Sequence, residues 1–389
     1  MVKKLKFLYC TLIIAFILSA CIQRSGVKGA AISDQNLKKV HNGSYKIGVM
    51  LALTGDAADY GLPEQWAIKM AADEINSGGG LNGKRLEIVY EDSKCNPKDG
   101  NAAAQKLVNI DKVKVIIGGS CSGETLGAAP ITESNKVVLI SPSSTSPDIT
   151  KAGDFVFRIA PSDAQAGIVA ANYAFNELEA RRVALITESA DYPQGLRRIF
   201  KDEFVKTGGK IVADETYNPE DTDLRTQVTK VKAANPDVIY VVPQAPIKGI
   251  LLIKQLEEAG LNKQLLTAEV LIGRNVIREN AKEVEGLIGI EQKFNDNSPK
   301  AAVLLKKYKE HTGEEAPFPT YMAGAYDIVY LIADAIRKYG YDSEKIKNSL
   351  YSVKNYDGAI GKVTIDQNGD PIMEYNIKQV RDGKLVILK

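Results

Sequence analysis

The sequence predicts an α/β fold built as two doubly wound parallel-sheet lobes. Three observations carry this. The chain has 389 residues, a length that suits two domains. Short apolar runs alternate with amphipathic stretches of helical length, the pattern of strands buried on both faces and covered by crossover helices. The alternation also runs twice, once before Pro161 and again after it.

In the first run, 45–51 (YKIGVML) is a short apolar strand. Residues 63–76 place Ala67, Met70, Ala71 and Ile75 on one helical face. Strand 86–90, helix 100–109, strand 113–118, helix 123–134 and strand 137–141 follow. In the second run, strands at 183–187, 211–213 and 238–242 alternate with helices near 165–178, 194–207, 224–234 and 247–259. Later, 300–311 and 321–339 are helical, with His311 read as a helix-end cap. Residues 361–365 and 374–380 are expected to be strands of a hairpin turning at Asp366–Asp370, where Asn368-Gly369 is the turn signal. That turn has a faint calcium-loop look but lacks the Glu at the twelfth position.

Composition narrows the function. With 44% apolar and 25% charged residues the chain is globular. A net charge of +2 argues against nucleic acid as partner, and two His with at most two available thiols leave too few ligands for a zinc site. No metal or cofactor is expected. Gly78–Gly83 literally matches G-x-G-x-x-G, but a helix precedes it and a strand follows, the reverse of a dinucleotide site. It reads as a helix stop plus turn. No P-loop, nucleophile elbow or acid–base constellation occurs, so no catalytic residue is expected and the protein is read as a non-enzyme.

Residues 1–20 read as an export signal: Lys3, Lys4 and Lys6, then an apolar run from Phe7 to Ala20. Leu18-Ser19-Ala20-Cys21 resembles a lipoprotein box, in which Cys21 takes a lipid and the chain is cut before it. A plain secretory signal and an uncleaved anchor are the alternatives. Cleavage removes three Lys and no acids, which lowers the formal charge from +2 by three to −1. Residues 21–44 form a polar tether. His41 within it has no expected role, and Asn42-Gly43-Ser44 fits a glycosylation sequon whose use depends on the host. Cys10 leaves with the signal, so Cys95 and Cys121 remain as an even pair in an exported protein. A disulfide is expected, with two buried free thiols as the alternative.

Polar residues gather after two strands of the first run, at 119–125 (GSCSGET) and 141–147 (SPSSTSP). Ligands in doubly wound sheets lie beyond the strand C-termini. Hydroxyls and free amides there either bind an anion such as a carboxylate or cap helices, and spacing leaves both open for Ser122 and Thr145.

These segments resemble the Leu/Ile/Val-binding protein family of type I periplasmic binding proteins, the receptors of ABC importers. The resemblance spans residues 44–389. It rests on IGVMLALTGDAADYG, AADEINSGGGLNGKRLEIVYEDSKCNPKDG, VIIGGSCSGETLGAAPITESNKVVLISPSSTSPDIT, TESADYPQGL and the helix with YMAGAYD. It implies two lobes joined by three crossovers, lobe 1 from 45–160 plus 290–372 and lobe 2 from 161–289 plus 373–389, hinged near 160–162, 289–292 and 370–373. It implies that Ser122 and Thr145 hold a ligand carboxylate, that the Ser143 carbonyl takes its ammonium, and that Glu269 neutralises that ammonium. Tyr60, Tyr192 and Tyr321 match aromatic walls and closure contacts, and Cys95–Cys121 matches the family's disulfide. Gln244 stands where amino-acid receptors often have Tyr. The implied protein is a lipid-anchored extracytoplasmic receptor for a small apolar amino acid that serves a membrane permease. Receptors for amides, urea or aromatic acids and a sensory ligand-binding module are the alternatives.

Overall fold

A computed structural model describes residues 43–389. The export segment, Cys21 and the tether through Asn42, His41 included, lie outside the described residues, and Ser44, expected as the tether's last residue, is instead the first residue of a strand. Among the described residues no helix is long and apolar enough to cross a membrane.

The first lobe is laid down by β1 (Ser44–Leu51), α1 (Ala58–Ser77), β2 (Arg85–Asp92), α2 (Pro97–Asn109), β3 (Val115–Gly118), α3 (Ser122–Ser134), β4 (Val138–Ser141) and β5 (Val156–Arg158). Its five strands are parallel, in the order β2-β1-β3-β4-β5. Strand periodicity sorts their side chains onto two faces. Ile47, Val49, Leu51, Val115, Ile117, Val138 and Ile140 face α1 on one side. Met50, Ile116, Leu139 and Val156 face α2 and α3 on the other. Burial on both faces explains why these strands read as unbroken apolar runs.

The second lobe follows with α4 (Asp163–Asn176), β6 (Arg182–Glu188), α5 (Asp191–Lys206), β7 (Lys210–Tyr217), α6 (Arg225–Ala234), β8 (Val238–Val242), α7 (Pro246–Glu258), β9 (Gln264–Ala268), α8 (Arg274–Glu279) and β10 (Ile288–Gln292). The chain then returns to lobe 1 as α9 (Pro299–Thr312), α10 (Pro319–Tyr339), α11 (Ser343–Tyr351) and the two-residue strands β11 (Tyr356–Asp357) and β12 (Lys362–Val363). Apolar residues of α10, among them Met322, Ile328 and Ile332, complete the core under α1. A third crossing delivers β13 (Tyr375–Arg381) and β14 (Lys384–Ile387) to the second sheet, ordered β14-β13-β10-β9-β8-β6-β7. That sheet is parallel except for β13 and β14.

Three expectations need correction. The lobe boundary at 289/290 falls inside β10, which pairs with β9 and β13 and keeps its pairing with β13 through Gln292, so the crossing begins at Lys293. The hairpin joining 361–365 to 374–380 does not form. β12 pairs with β11 and β13 pairs with β10, so the antiparallel pairing stops at the turn itself, with the bridge Ile365 to Pro371 and the backbone bonds of the Asp366 amide to the Asp370 carbonyl and of the Ile372 amide to the Thr364 carbonyl. Asp366 accepts from the amides of Asn368 and Asp370, which makes this an Asx-type turn. His311 does not cap its helix: Gly313 does so in a left-handed conformation, while exposed His311 lies against Trp66.

One local feature sets the site. A Cβ on Gly61 would lie 2.0 Å from the Ala52 carbonyl. The missing side chain lets the start of α1 press onto the end of β1, which turns Tyr60 toward the cleft and buries Glu64 one turn later.

Candidate functional site

The loops after β3 and β4 in lobe 1 are stitched together by hydroxyls. Ser141 Oγ donates to the Gly119 carbonyl at 2.7 Å and accepts from the amides of Ser143 and Ser144. The Gly119 amide donates to Thr125 Oγ1, which meets Ser144 Oγ at 2.7 Å. Ser143 Oγ reaches the Ser120 carbonyl and the Glu64 carboxyl. Much of the serine-rich sequence is therefore scaffold, which one sequence does not separate from ligand-contacting serine.

Neither Ser122 nor Thr145 is a helix N-cap. Cys121, not Ser122, occupies the N-cap of α3, and the Glu124 carboxylate accepts the Cys121 amide at 2.7 Å. Ser122 Oγ accepts from the Ser146 amide at 3.0 Å and so joins the two loops. The short 3-10 helix 147–151 is capped by Ser146 rather than Thr145. Ser122 and Thr145 are both buried and both line a cavity between the lobes.

From lobe 2, β6 leads into α5 and brings Tyr192, β8 brings Gln244, and β9 brings Glu269 at the start of a short 3-10 helix. The lobes meet through direct bonds. Tyr60 Oη donates to the Gln244 carbonyl at 3.1 Å, Tyr321 Oη donates to Glu269 Oε1 at 2.8 Å, and Asn275 Nδ2 donates to Asp59 Oδ2 at 2.7 Å. Arg198 pairs with Asp148 at 2.7 Å at the cleft rim. This is a closed arrangement. Tyr60, Phe318 and Tyr321 pack ring to ring on the lobe 1 side.

Two adjoining chambers share Thr145, Glu269 and Tyr321 as walls. The first holds about 270 Å³ of atom-free space and is lined by all eight residues singled out in the sequence: Tyr60, Ser122, Ser143, Thr145, Tyr192, Gln244, Glu269 and Tyr321. The second, nearer the crossings, holds about 360 Å³. It contains a residue the sequence reading missed. Asp163 is 1% exposed at the start of α4, and its Oδ2 has no hydrogen-bond partner. Tyr192 Oη, Gln292 Oε1 and Thr320 Oγ1 are likewise buried without partners beside these chambers. The sequence signal for Asp163 was slight: an acid at a helix start after Ser162 reads as an ordinary first-turn charge.

Burial raises Asp163 well above the usual carboxylate range, and the Glu269 charge adds to it. Burial likewise raises Glu269, against the Tyr321 hydrogen bond that lowers it. A cation between the two acids would reverse both shifts, because it stabilises the ionised forms. The chambers thus have the hydroxyl residues Ser122, Ser143 and Thr145 on the lobe 1 side and Glu269 on the lobe 2 side, while Asp163 lies beside Thr145, whose carbonyl accepts the Asp163 amide at 2.8 Å. Among the described residues no group of three His, Cys, Asp or Glu could hold a metal.

Cys95 and Cys121 form a disulfide, with Cα atoms 5.2 Å apart. It ties the loop after β2 to the residue before Ser122. Gly78 caps α1, and the Gly80 amide closes back on the Ile75 carbonyl, so the glycine run is a helix stop.

Two α/β lobes closed over a polar cavity at their strand ends define a solute-binding protein. The chain belongs to the periplasmic binding protein family, whose model matches residues 44–384. Among its relatives is the leucine-, isoleucine-, valine-, threonine- and alanine-binding protein of Pseudomonas aeruginosa, 30% identical over 84% of this chain and 86% of that one. The Leu/Ile/Val-binding protein of Escherichia coli is 28% identical over 84% and 87%. Of solved structures, a leucine-binding protein from Thermotoga maritima superposes with TM-score 0.81 at 29% identity, covering 89% of this chain and 98% of that one. A branched-chain amino-acid transporter substrate-binding protein from Streptococcus pneumoniae, solved with isoleucine, gives 0.79 at 30% identity, covering 89% and 100%. A solute-binding protein from R. palustris, solved with benzoate, shares the fold with TM-score 0.79 at 19% identity, covering 89% and 96%.

Proposed function

We propose that this protein captures a small α-amino acid of branched-chain type between its lobes and delivers it to an ABC importer from an extracytoplasmic, lipid-anchored position. The observation that carries the reading is Glu269, a buried acid of lobe 2 across one chamber from Ser122, with Asp163 as a second buried acid in the adjoining chamber, which also has Glu269 as a wall. An amino acid has a carboxylate for the hydroxyls and loop amides, and an ammonium for the acids. An aromatic acid offers no cation, so it would leave two buried acids facing an anion, a costly arrangement. The rings of Tyr60, Tyr192 and Phe318 supply apolar wall for a short side chain, and Gln244 adds one polar edge. The names of the relatives agree with an amino-acid ligand. Binding favours the closed form because only that form makes contacts from both lobes.

Calorimetry with L-isoleucine tests this. Glu269→Gln is expected to cost about 2–5 kcal/mol of affinity, roughly 30-fold to several-thousand-fold. Unchanged affinity, or tight binding of benzoate in place of isoleucine, refutes the amino-acid reading.

A further inference from the structure

We propose that Glu64 is held as a neutral carboxylic acid whose proton keeps the ligand-facing loops of lobe 1 in place, so that amino-acid binding weakens when this proton is lost at alkaline pH. The binding half of the proposal rests on the amino-acid reading above; the neutral state of Glu64 does not.

Glu64 is 0% exposed, and its partners are hydroxyls rather than a cation. Ser143 Oγ is in reach of two acceptors, Glu64 Oε1 and the Ser120 carbonyl at 2.9 Å. One hydroxyl carries one proton. If Glu64 were ionised, one of these two contacts would set acceptor against acceptor. If Oε1 carries a proton, a chain runs in a single direction. The Ala52 amide donates to Ser120 Oγ at 3.2 Å, and Ser120 Oγ donates to Glu64 Oε2 at 2.6 Å. Glu64 Oε1 then donates to Ser143 Oγ, which donates to the Ser120 carbonyl. Every donor in the chain meets an acceptor, as buried polar groups require.

Glu124, nearby on α3, shows the opposite condition. Its carboxylate accepts the Ser93 hydroxyl at 2.7 Å, the Cys95 amide at 2.6 Å and the Cys121 amide at 2.7 Å. Three donors favour its ionised form, against the burial that raises it to about 7. Glu124 and Tyr60 are the titratable groups that face Glu64. The loops packed against it, after β1, β3 and β4, bring Ala52, Ser120, the disulfide-bonded Cys121 and Ser143. Burial, with the Glu124 charge, pushes Glu64 up to about 8, against the two serine hydrogen bonds that lower it.

The consequence reaches the ligand through position. Ser120 and Ser143 line the same chamber as Ser122 and Thr145. Loss of the proton sets the Ser143–Ser120 bond against the Ser143–Glu64 bond, which loosens the two loops that hold the ligand carboxylate. Glu64 is therefore a positioning residue.

The test has two arms on the purified full chain. In infrared difference spectroscopy across pH, the wild-type spectrum minus that of Glu64→Gln is expected to contain a protonated-carboxyl band that disappears near pH 8, a subtraction that removes the bands of the other raised acids, Asp163 and Glu269 among them. The wild-type protein alone is informative, since absence of any such band above pH 7 overturns the proposal. In the second arm, calorimetry with L-leucine follows affinity from pH 7 to 9. The wild type is expected to lose roughly three- to tenfold more affinity than Glu64→Gln, whose amide reproduces the donor and acceptor of the neutral acid. Parallel pH profiles overturn the link to binding. If leucine binds neither protein at any pH, the amino-acid reading fails, and the infrared band decides the state of Glu64 by itself.

Discussion

Arg158 is the largest fully buried side chain of the described residues, at 0% exposure, and it sits where the first crossing leaves lobe 1. Its guanidinium forks onto Asp370, with Nε to Oδ1 at 2.7 Å and Nη2 to Oδ2 at 2.9 Å. Nη1 donates to the Ser146 carbonyl at 2.8 Å and Nη2 to Thr150 Oγ1 at 2.7 Å. One residue thus binds the loop carrying Thr145 to the turn that precedes the third crossing. Arg158→Met removes all four bonds and leaves the Asp370 carboxylate, 11% exposed, with only Thr150 as donor. Breaking a buried pair from one side costs about 3–5 kcal/mol, chiefly through the charge left behind. Replacing both partners by apolar groups is far milder, so Arg158→Met with Asp370→Leu should recover most of that loss. Urea unfolding followed by the fluorescence of Trp66, the chain's single tryptophan, measures it from within lobe 1. A cost below about 1 kcal/mol for Arg158→Met, or a double variant as unstable as the single one, would refute the reasoning.

Two further outcomes follow from charge and from the export segment. Burial raises Glu64 to about 8, Glu124 to about 7 and Asp327 to about 6 in the folded chain. Each folded value lies above the unfolded one, so the folded state holds more protons over that window and stability falls as pH rises through it. For Glu64 the loss runs from about pH 4.5 to about pH 8 and then levels off. Glu64→Gln should flatten the upper part of the urea-stability profile; an unchanged slope between pH 6 and 8 contradicts the assignment. If the lipid proposed on Cys21 anchors the protein, Cys21→Ser should move it out of the membrane fraction. A variant that still sediments with membranes means that Phe7–Ala20 is retained as a helix.

Much of the fold was legible because strands buried on both faces carry their burial in the sequence. Val238–Val242 has the boundaries its apolar run implies. Helices began earlier than periodicity suggests: α1 starts at Ala58 rather than Pro63, because its first turn packs on β1 through Gly61 instead of showing an apolar stripe. The strands β5, β9, β10 and β14 were missed, since each is defined by its neighbours in the sheet rather than by its own composition. The hairpin failed for a related reason. An Asn-Gly turn signal marks a reversal of the chain but says nothing about which strand the next segment joins, and β13 finds β10 in the other lobe.

The sequence by itself determined the class of fold, the cysteine pair and the strand-end loops that line the cavity, because these depend on local pattern and on counting. Tertiary structure alone decided which hydroxyls are scaffold and which face the cavity. It also joined Asp163 to Glu269 from segments 106 positions apart and set Glu64 behind Ser120 and Ser143 without a cation. The physical reason is that charge state and ligand contact depend on burial and on the count of nearby donors, and both are properties of three-dimensional neighbours that no single stretch of chain encodes.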